Sequence, residues 1–387
     1  MMKWLILLLL SFQAQAVVTS SLTPTMTQAT WDTAYFTGIN NVTASSCSPT
    51  GTATNNTTCA EYFAWEQDLW MKGYLSMALY TGDTKYIDKA KTVIDFELTK
   101  RSTDAACSTT CGWGYEINNS QYFLDTAVIT QHIALYAYVV WKDSRFSAYR
   151  TDANTYLATI ELIIHSFDAN WVTNSPVLGA SFYRYATCVD GRQLCGTGSL
   201  MMYNQGAMMA KAGMIVYRTY QLRGLTPDAG YLDKITKVAE YYILFRQLYD
   251  CHCEWNYEGG RTDGALTSED INHGKLDVGT LLWARGLGGI TDAELTALSN
   301  TLSKQFLAKV IGSYDLPWRV NGTGTIPNSA YRNAIAVEWG ELAAYNPLLM
   351  DQIIAYANAN LVGANTLYGA AGWADIFRIK AGIEILP

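Results

Sequence analysis

Two stretches of this chain share one design. Tyr80-Thr81-Gly82-Asp83-Thr84-Lys85-Tyr86-Ile87-Asp88-Lys89 resembles Leu222-Arg223-Gly224 followed, after a short insertion, by Tyr231-Leu232-Asp233-Lys234. In each, an aromatic-rich helix runs into a glycine turn, and a second amphipathic helix opens with Tyr and Asp. Upstream of the first turn Trp65, Leu69, Trp70, Tyr74, Met77 and Ala78 fall at helical spacing. A helix pair of this kind cannot bury its apolar face alone, so its recurrence demands stacked neighbours. Further helices are predicted over 123–142, 146–166, 203–222, 231–248, 270–285, 292–309, 333–344, 348–360 and 371–384, and period-2 strands are scarce. The expected fold class is all-α: an (α/α) toroid of six or seven helical hairpins, with an inner ring, an outer ring and long cleft-lining loops.

Met1 to Ala16 carries Lys3, an apolar run from Trp4 to Leu10 and the small-x-small site Ala14-Gln15-Ala16, the layout of a secretory signal peptide. An exported chain, secreted or periplasmic, is expected, with an extended segment over 17–60 and a single toroid domain over 61–387. No later run approaches the roughly 20 apolar residues of a membrane span, so no membrane partner is expected. A net charge of −7 argues against nucleic acid, whose phosphates call for a basic face. The eight cysteines fall into local pairs, Cys47 with Cys59, Cys107 with Cys111, Cys188 with Cys195 and Cys251 with Cys253, and in an exported chain these are disulfide candidates. Cys251-His252-Cys253 lacks a second cluster of matching spacing, so no metal is expected.

The acidic and imidazole groups gather in Ser268-Glu269-Asp270-Ile271-Asn272-His273-Gly274-Lys275-Leu276-Asp277. Ser268 is expected to cap a helix with Glu269 and Asp270 in its first turn, and residues four apart then stack Glu269, His273 and Asp277 on one face. His273 is the best catalytic candidate of the four histidines. Gln131 and His132 lie on an apolar helix, either as core groups or as lining of a cleft. Tyr203-Asn204-Gln205-Gly206 places an amide pair at a helix start, as a cap or as donors to a carboxylate. Trp113, Tyr115, Trp255, Tyr257, Trp318 and Tyr331 lie in Gly-, Asn- or Pro-rich connections, where aromatic faces suit stacking on sugar rings. Trp318-Arg319 leads through glycines to Tyr331-Arg332, adding a phenol and two guanidiniums.

With Asn204-Gln205, Trp255-x-Tyr257, Glu269-Asp270-x-x-His273-Gly274 and Trp318-Arg319…Gly322…Tyr331-Arg332 in this order, the chain resembles the α/α-toroid polysaccharide lyases that cleave uronate polymers, specifically the alginate and glucuronan lyase family numbered thirty-eight. The resemblance implies β-elimination on an acidic polysaccharide without a cofactor. Asn204 would neutralise the uronate carboxylate, and His273 and Tyr331 would act as base and acid. Gln131, His132, Gln205, Trp255, Tyr257, Glu269, Arg319 and Arg332 would bind substrate. Other readings stay open: a toroid glycoside hydrolase using Glu66 and Asp68 or Glu269 and Asp270, a uronate epimerase, or a non-catalytic carbohydrate-binding protein. The sequence leaves the oligomeric state undetermined.

Overall fold

Gly82 has φ 76°, a left-handed conformation that a glycine adopts without a Cβ penalty, and it ends the helix Asp68–Thr81 by giving its N–H to the Ala78 carbonyl. Asp83 then caps the next helix by accepting from the Lys85 N–H at 2.9 Å. The second turn repeats the device, with Gly224 at φ 69° and the Asp228 carboxylate accepting from the Gly230 N–H at 2.8 Å. The sequence likeness therefore lies in the turn and in the cap that follows it. Tyr86 and Tyr231 open the returning helices and are both buried.

A computed structural model of the chain describes residues 18, 20–36, 56–102, 110–114, 120–175, 179–184, 201, 203–249, 252–256, 268–307, 317–325, 334–361 and 367–385. Its α-helices are α1 Gln28–Trp31, α2 Asn56–Tyr62, α3 Asp68–Thr81, α4 Thr84–Thr99, α5 Ser120–Lys142, α6 Arg150–Ser166, α7 Tyr203–Leu222, α8 Ala229–Phe245, α9 Ile271–Trp283, α10 Asp292–Thr301, α11 Leu349–Asn360 and α12 Leu367–Lys380. Two short antiparallel ladders accompany them: β1 Trp171–Val172 with β2 Phe182–Tyr183, and β3 Gln247–Leu248 with β4 Cys253–Glu254.

The packing follows the chain around a circle. α3 packs on α5, α5 on α7, α7 on α9, α9 on the 3₁₀ segment Trp339–Tyr345, that segment on α12, and α12 returns to α3. α4, α6, α8, α10 and α11 lie outside, so the fold is the expected (α/α) toroid. The seam is stitched by the Trp31 indole N–H to the Ala370 carbonyl at 2.9 Å and by Ser76 to Asp375 at 2.6 Å. Gly73 lets α3 approach there, since a Cβ would sit 3.3 Å from the Ala370 carbonyl oxygen. Among the described residues one helix, Phe123–Lys142 within α5, is long and apolar enough to cross a membrane, and its apolar stretch is buried inside the ring.

The toroid axis carries charge. Lys72 reaches Asp68 at 2.8 Å and Glu338 at 3.0 Å, and Lys211 of α7 meets Glu338 from the facing wall at 2.5 Å. Glu338 itself sits at φ 59°, a strained position for a residue with a side chain. A Cβ on Gly279 of α9 would fall 2.5 Å from its carboxylate, so only glycine leaves room for the pair.

Several sequence expectations are corrected in detail. The helix expected over 231–248 stops at Phe245, where Arg246 turns extended and the chain enters β3. The helix expected over 371–384 is α12, displaced toward the N-terminus. Cys253 is a free, buried thiol, not a partner of Cys251. The Cys253 thiol instead lies 3.4 Å from the Tyr242 hydroxyl. Cys59 and Cys111 are disulfide-bonded. Cys47, Cys107, Cys188, Cys195 and Cys251 lie outside the described residues.

Candidate active site

The connections decide which end of the toroid can hold a site. At one end α3–α4, α5–α6, α7–α8 and α9–α10 join through short turns. At the other, the returns into α5, α7, α9, Trp339–Tyr345 and α12 are mostly long. The inner helices alternate with returning outer ones, so their N-termini all meet at the long-loop end. Positive helix ends and variable loops thus share one mouth.

At this mouth the segment before α9 is held straight by pairing. The Glu269 N–H donates to the Trp255 carbonyl at 2.9 Å, Val320 N–H to the Glu269 carbonyl at 2.8 Å, and Ile271 N–H to the Trp318 carbonyl at 3.0 Å. The Arg319 guanidinium donates to the Ser268 carbonyl at 2.7 Å, and Asp270 bridges Arg319 across the ladder. This corrects the expected helix start. Asp270, not Ser268, is the N-cap, and its Oδ1 accepts the Asn272 and His273 N–H groups, both at 2.9 Å. Its other oxygen, Oδ2, is 2.6 Å from His273 Nδ1. One carboxylate therefore starts the helix and orients the imidazole.

Glu269 precedes the helix and still meets Asp277 beneath it. Burial, then the neighbouring charges of Asp277 and Asp270, push the Glu269 pKa well above the carboxylate range. Burial likewise raises Asp277 to about 7, although the Trp255 indole donates to it at 2.8 Å. Glu269 Oε2 and Asp277 Oδ1 have no hydrogen-bond partner among the described residues, the setting in which two carboxyl groups hold one proton.

Along the rim, the Trp65 and His273 rings meet edge to face with centroids 6.3 Å apart. Next to Trp65, half-buried Glu66 has its pKa raised by burial. Asp68 behaves oppositely. Burial alone would raise it, but Lys72 and His132 overcome that and hold it ionised and enclosed. Of the two carboxylates nominated on this stretch, only Glu66 reaches the rim. A bound metal would find ligand atoms of Glu269, Asp270 and His273 within 4.8 Å of one another. Asp270 and His273 also bond each other directly at 2.6 Å.

The other sequence candidates are distributed unevenly. Gln131 and His132 are fully buried below the mouth, His132 between Glu97 at 2.8 Å and Asp68 at 3.6 Å. Burial would lower the His132 pKa, but those carboxylates raise it to about 9. Trp113 and Trp255 are buried walls whose indole N–H groups are used internally, by the Glu97 carbonyl and by Asp277. Asn204 is buried in the first turn of α7 with its amide nitrogen unpartnered among the described residues, and Gln205 beside it is half-buried. Arg319 is half-buried beside Asp270. Tyr115, Tyr257, Tyr331 and Arg332 lie outside the described residues. Sequence reasoning missed the roles of Trp65 at the mouth and of Glu338 on the axis. A polar residue among the apolar positions preceding Trp339 was the available signal for Glu338.

No protein-family model matches the chain, and no curated protein matches it. Solved structures do resemble it. One is an inactive variant of an α-1,6-mannanase of glycoside hydrolase family 76 from Salegentibacter sp., with two consecutive aspartates replaced by alanine, in complex with α-1,6-mannotetrose; it is 11% identical, covers 83% of this chain and 89% of its own, and has a TM-score of 0.51. Another is a family 76 mannosidase of Bacteroides thetaiotaomicron, 12% identical, covering 81% of this chain and 85% of its own, also with a TM-score of 0.51. Likeness at this identity establishes the toroid and does not transfer chemistry. The neighbours are nonetheless hydrolases, and the expected kinship with uronate lyases, together with glucuronan or alginate as substrate, is withdrawn.

Proposed function

We propose that this chain is a glycoside hydrolase acting on a polysaccharide at the long-loop mouth of the toroid, and that an α-linked mannan is the first substrate to try. The observation that carries it is the contact of two elements at the rim: Trp65, followed in the chain by Glu66 with its pKa raised by burial, meets edge to face the His273 ring bonded to Asp270. Glycoside hydrolysis calls for two carboxyl groups in opposite protonation states flanking one bond. Glu66 donates a proton to the leaving glycosidic oxygen as the bond to the anomeric carbon breaks, and Asp270 serves the anomeric side, where water adds. His273 fixes the Asp270 carboxylate, and Trp65 offers an apolar edge to a sugar ring. Glu269-Asp270 is also the one pair of consecutive acidic residues in the sequence, and the mannanase that resembles this chain was inactivated at two consecutive aspartates. An exported location, expected from residues 1–16, suits an enzyme whose polymer lies outside the cell.

The test is to offer the purified protein α-1,6-mannan, α-1,6-mannotetraose and other neutral glycans while following new reducing ends. Glu66→Gln and Asp270→Asn should each lower turnover by about 10²–10⁴-fold, the usual worth of a positioned acid or base, with the fold retained. Products with the near-ultraviolet absorbance of an unsaturated sugar, or silence on every glycan, would overturn the assignment.

A further inference from the structure

Four lysine and arginine side chains are buried among the described residues: Lys72, Lys211, Lys275 and Arg378. Three of them are matched, Lys72 to Asp68 and Glu338, Lys211 to Glu338, and Arg378 to Glu341. Lys275 is the exception. It is 2% exposed, has no carboxylate within ion-pair distance among the described residues, and sets its ammonium 4.7 Å from the centroid of the Tyr368 ring. Burying a cation without a partner is costly, so a group left this way is usually waiting for one.

Its position says where that partner comes from. Lys275 stands in the second turn of α9, just below Asp270 and His273, and the charges it feels are Lys72 and Asp68 from α3, Glu338, and Asp270. Tyr368 of α12 closes the far side and is pinned by donating its hydroxyl to Asn272 at 2.7 Å. Lys275 therefore lies between the mouth and the axis network.

We infer that Lys275 and the Tyr368 ring form the deepest sugar-binding position of the site, with the ammonium donating to hydroxyl groups of a neutral saccharide. The charge balance selects a neutral ligand. Asp68, Glu338 and Asp270 act on Lys275 from beyond pairing distance, so an added anion would face three carboxylates. A hydroxyl brings acceptor lone pairs without charge, and an ammonium can donate three hydrogen bonds. The aromatic face beneath suits the C–H face of a sugar ring. Burial, followed by the charge of Lys72, lowers the Lys275 pKa to about 8, so its donor count changes within an accessible pH range.

This inference rests on the hydrolase reading, and its test separates the two. α-1,6-Mannotetraose, or whichever neutral oligosaccharide of the panel the protein cleaves, is titrated calorimetrically into wild type, Lys275→Met and Lys275→Gln, with melting curves confirming the fold. Binding by the variants should be about 10- to 100-fold weaker, the range for a charge-assisted hydrogen bond. KM should rise more than kcat falls. Wild-type affinity should decline as pH passes about 8, whereas the folded variants show no decline there. Two variants guard against one failing to fold. Undiminished binding by a folded variant, or an unchanged decline above pH about 8 in that variant, overturns the role of Lys275 and leaves the hydrolase reading intact. Absence of binding by wild type across the neutral panel overturns both.

Discussion

Asp277 is a carboxyl group whose folded environment prefers it neutral, and this has a measurable sign. Burial raises its pKa from 3.8 to about 7. A raised carboxyl contributes stability that is fully present below its unfolded pKa and is lost as pH rises through the folded value. Asp375, also raised to about 7 by burial, adds a second loss in the same window. The melting temperature of Asp277→Asn relative to wild type should therefore improve steadily between about pH 4 and about pH 7 and level off above that, because the amide no longer ionises. A constant difference across that range would show that Asp277 ionises in the fold as easily as in water. At this scale the sequence was partly legible. Glu269 does come near both His273 and Asp277, but from the extended segment before α9 and not from the helix face that their spacing predicted. Trp113 and Trp255 were read as surface aromatics because glycine and asparagine surround them. Their indole N–H groups instead find the Glu97 carbonyl and Asp277, partners that lie 16 and 22 residues away. Local composition carries no trace of those contacts.

The start of α9 shows how an element can be read correctly and placed two residues out. Ser268 and Asp270 are both good caps, so propensity cannot choose between them. Strand-like pairing with Trp318, Arg319 and Val320 does, because it holds 268–270 extended and defers the first helical turn to Ile271. Asp270 consequently has two duties that substitution can separate. Asp270→Asn keeps a side-chain oxygen for the Asn272 and His273 N–H groups and should cost only a few tenths of a kcal/mol, with activity lost. Asp270→Ala removes the cap as well and should cost about 1 kcal/mol more in urea unfolding. Equal stability of the two would mean that the cap contributes nothing. Further along the same helix, Gly279→Ala should destabilise despite the ~1 kcal/mol that alanine gains in an ordinary helix. Its Cβ would meet the Glu338 carboxylate at 2.5 Å and Lys211 Nζ at 2.6 Å, and neither can move without losing the other. A higher melting temperature for Gly279→Ala would show that the axis network yields freely.

The whole molecule was the most legible level, for a physical reason. A glycine turn followed by an aspartate cap is a local device, and its repetition with apolar helices on either side leaves few ways to bury both faces other than a closed ring of pairs. The chemistry was less legible, because a toroid mouth built from helix N-termini attracts acidic, amide and aromatic residues whatever reaction it hosts. Order and spacing of such residues pointed to a lyase, while the resolved likenesses are hydrolases. Closure itself depends on a few groups far from the mouth, of which Arg378 is the most exacting. It is wholly buried near the base of α12, donates to the Ile383 carbonyl at 2.8 Å, lies 3.3 Å from Ser76 of α3 and 3.4 Å from Asp375, and pairs with Glu341 of the Trp339–Tyr345 segment. One guanidinium thus ties the last inner element to both its neighbours. Replacing it with alanine strands Glu341 and Asp375 without a cation, a loss of about 3–5 kcal/mol for a broken buried pair. A methionine of similar length fills the space but leaves the carboxyl groups in the same position, so it should recover only the packing part. Arg378→Met combined with Glu341→Gln should recover more, because no charge at that pair is then left unmatched. Chemical denaturation of the three variants measures this directly. Whatever protein remains folded should keep its KM, since the mouth lies at the opposite ends of the same helices. A rise in KM in step with the lost stability would instead make the ring one mechanical unit from base to mouth.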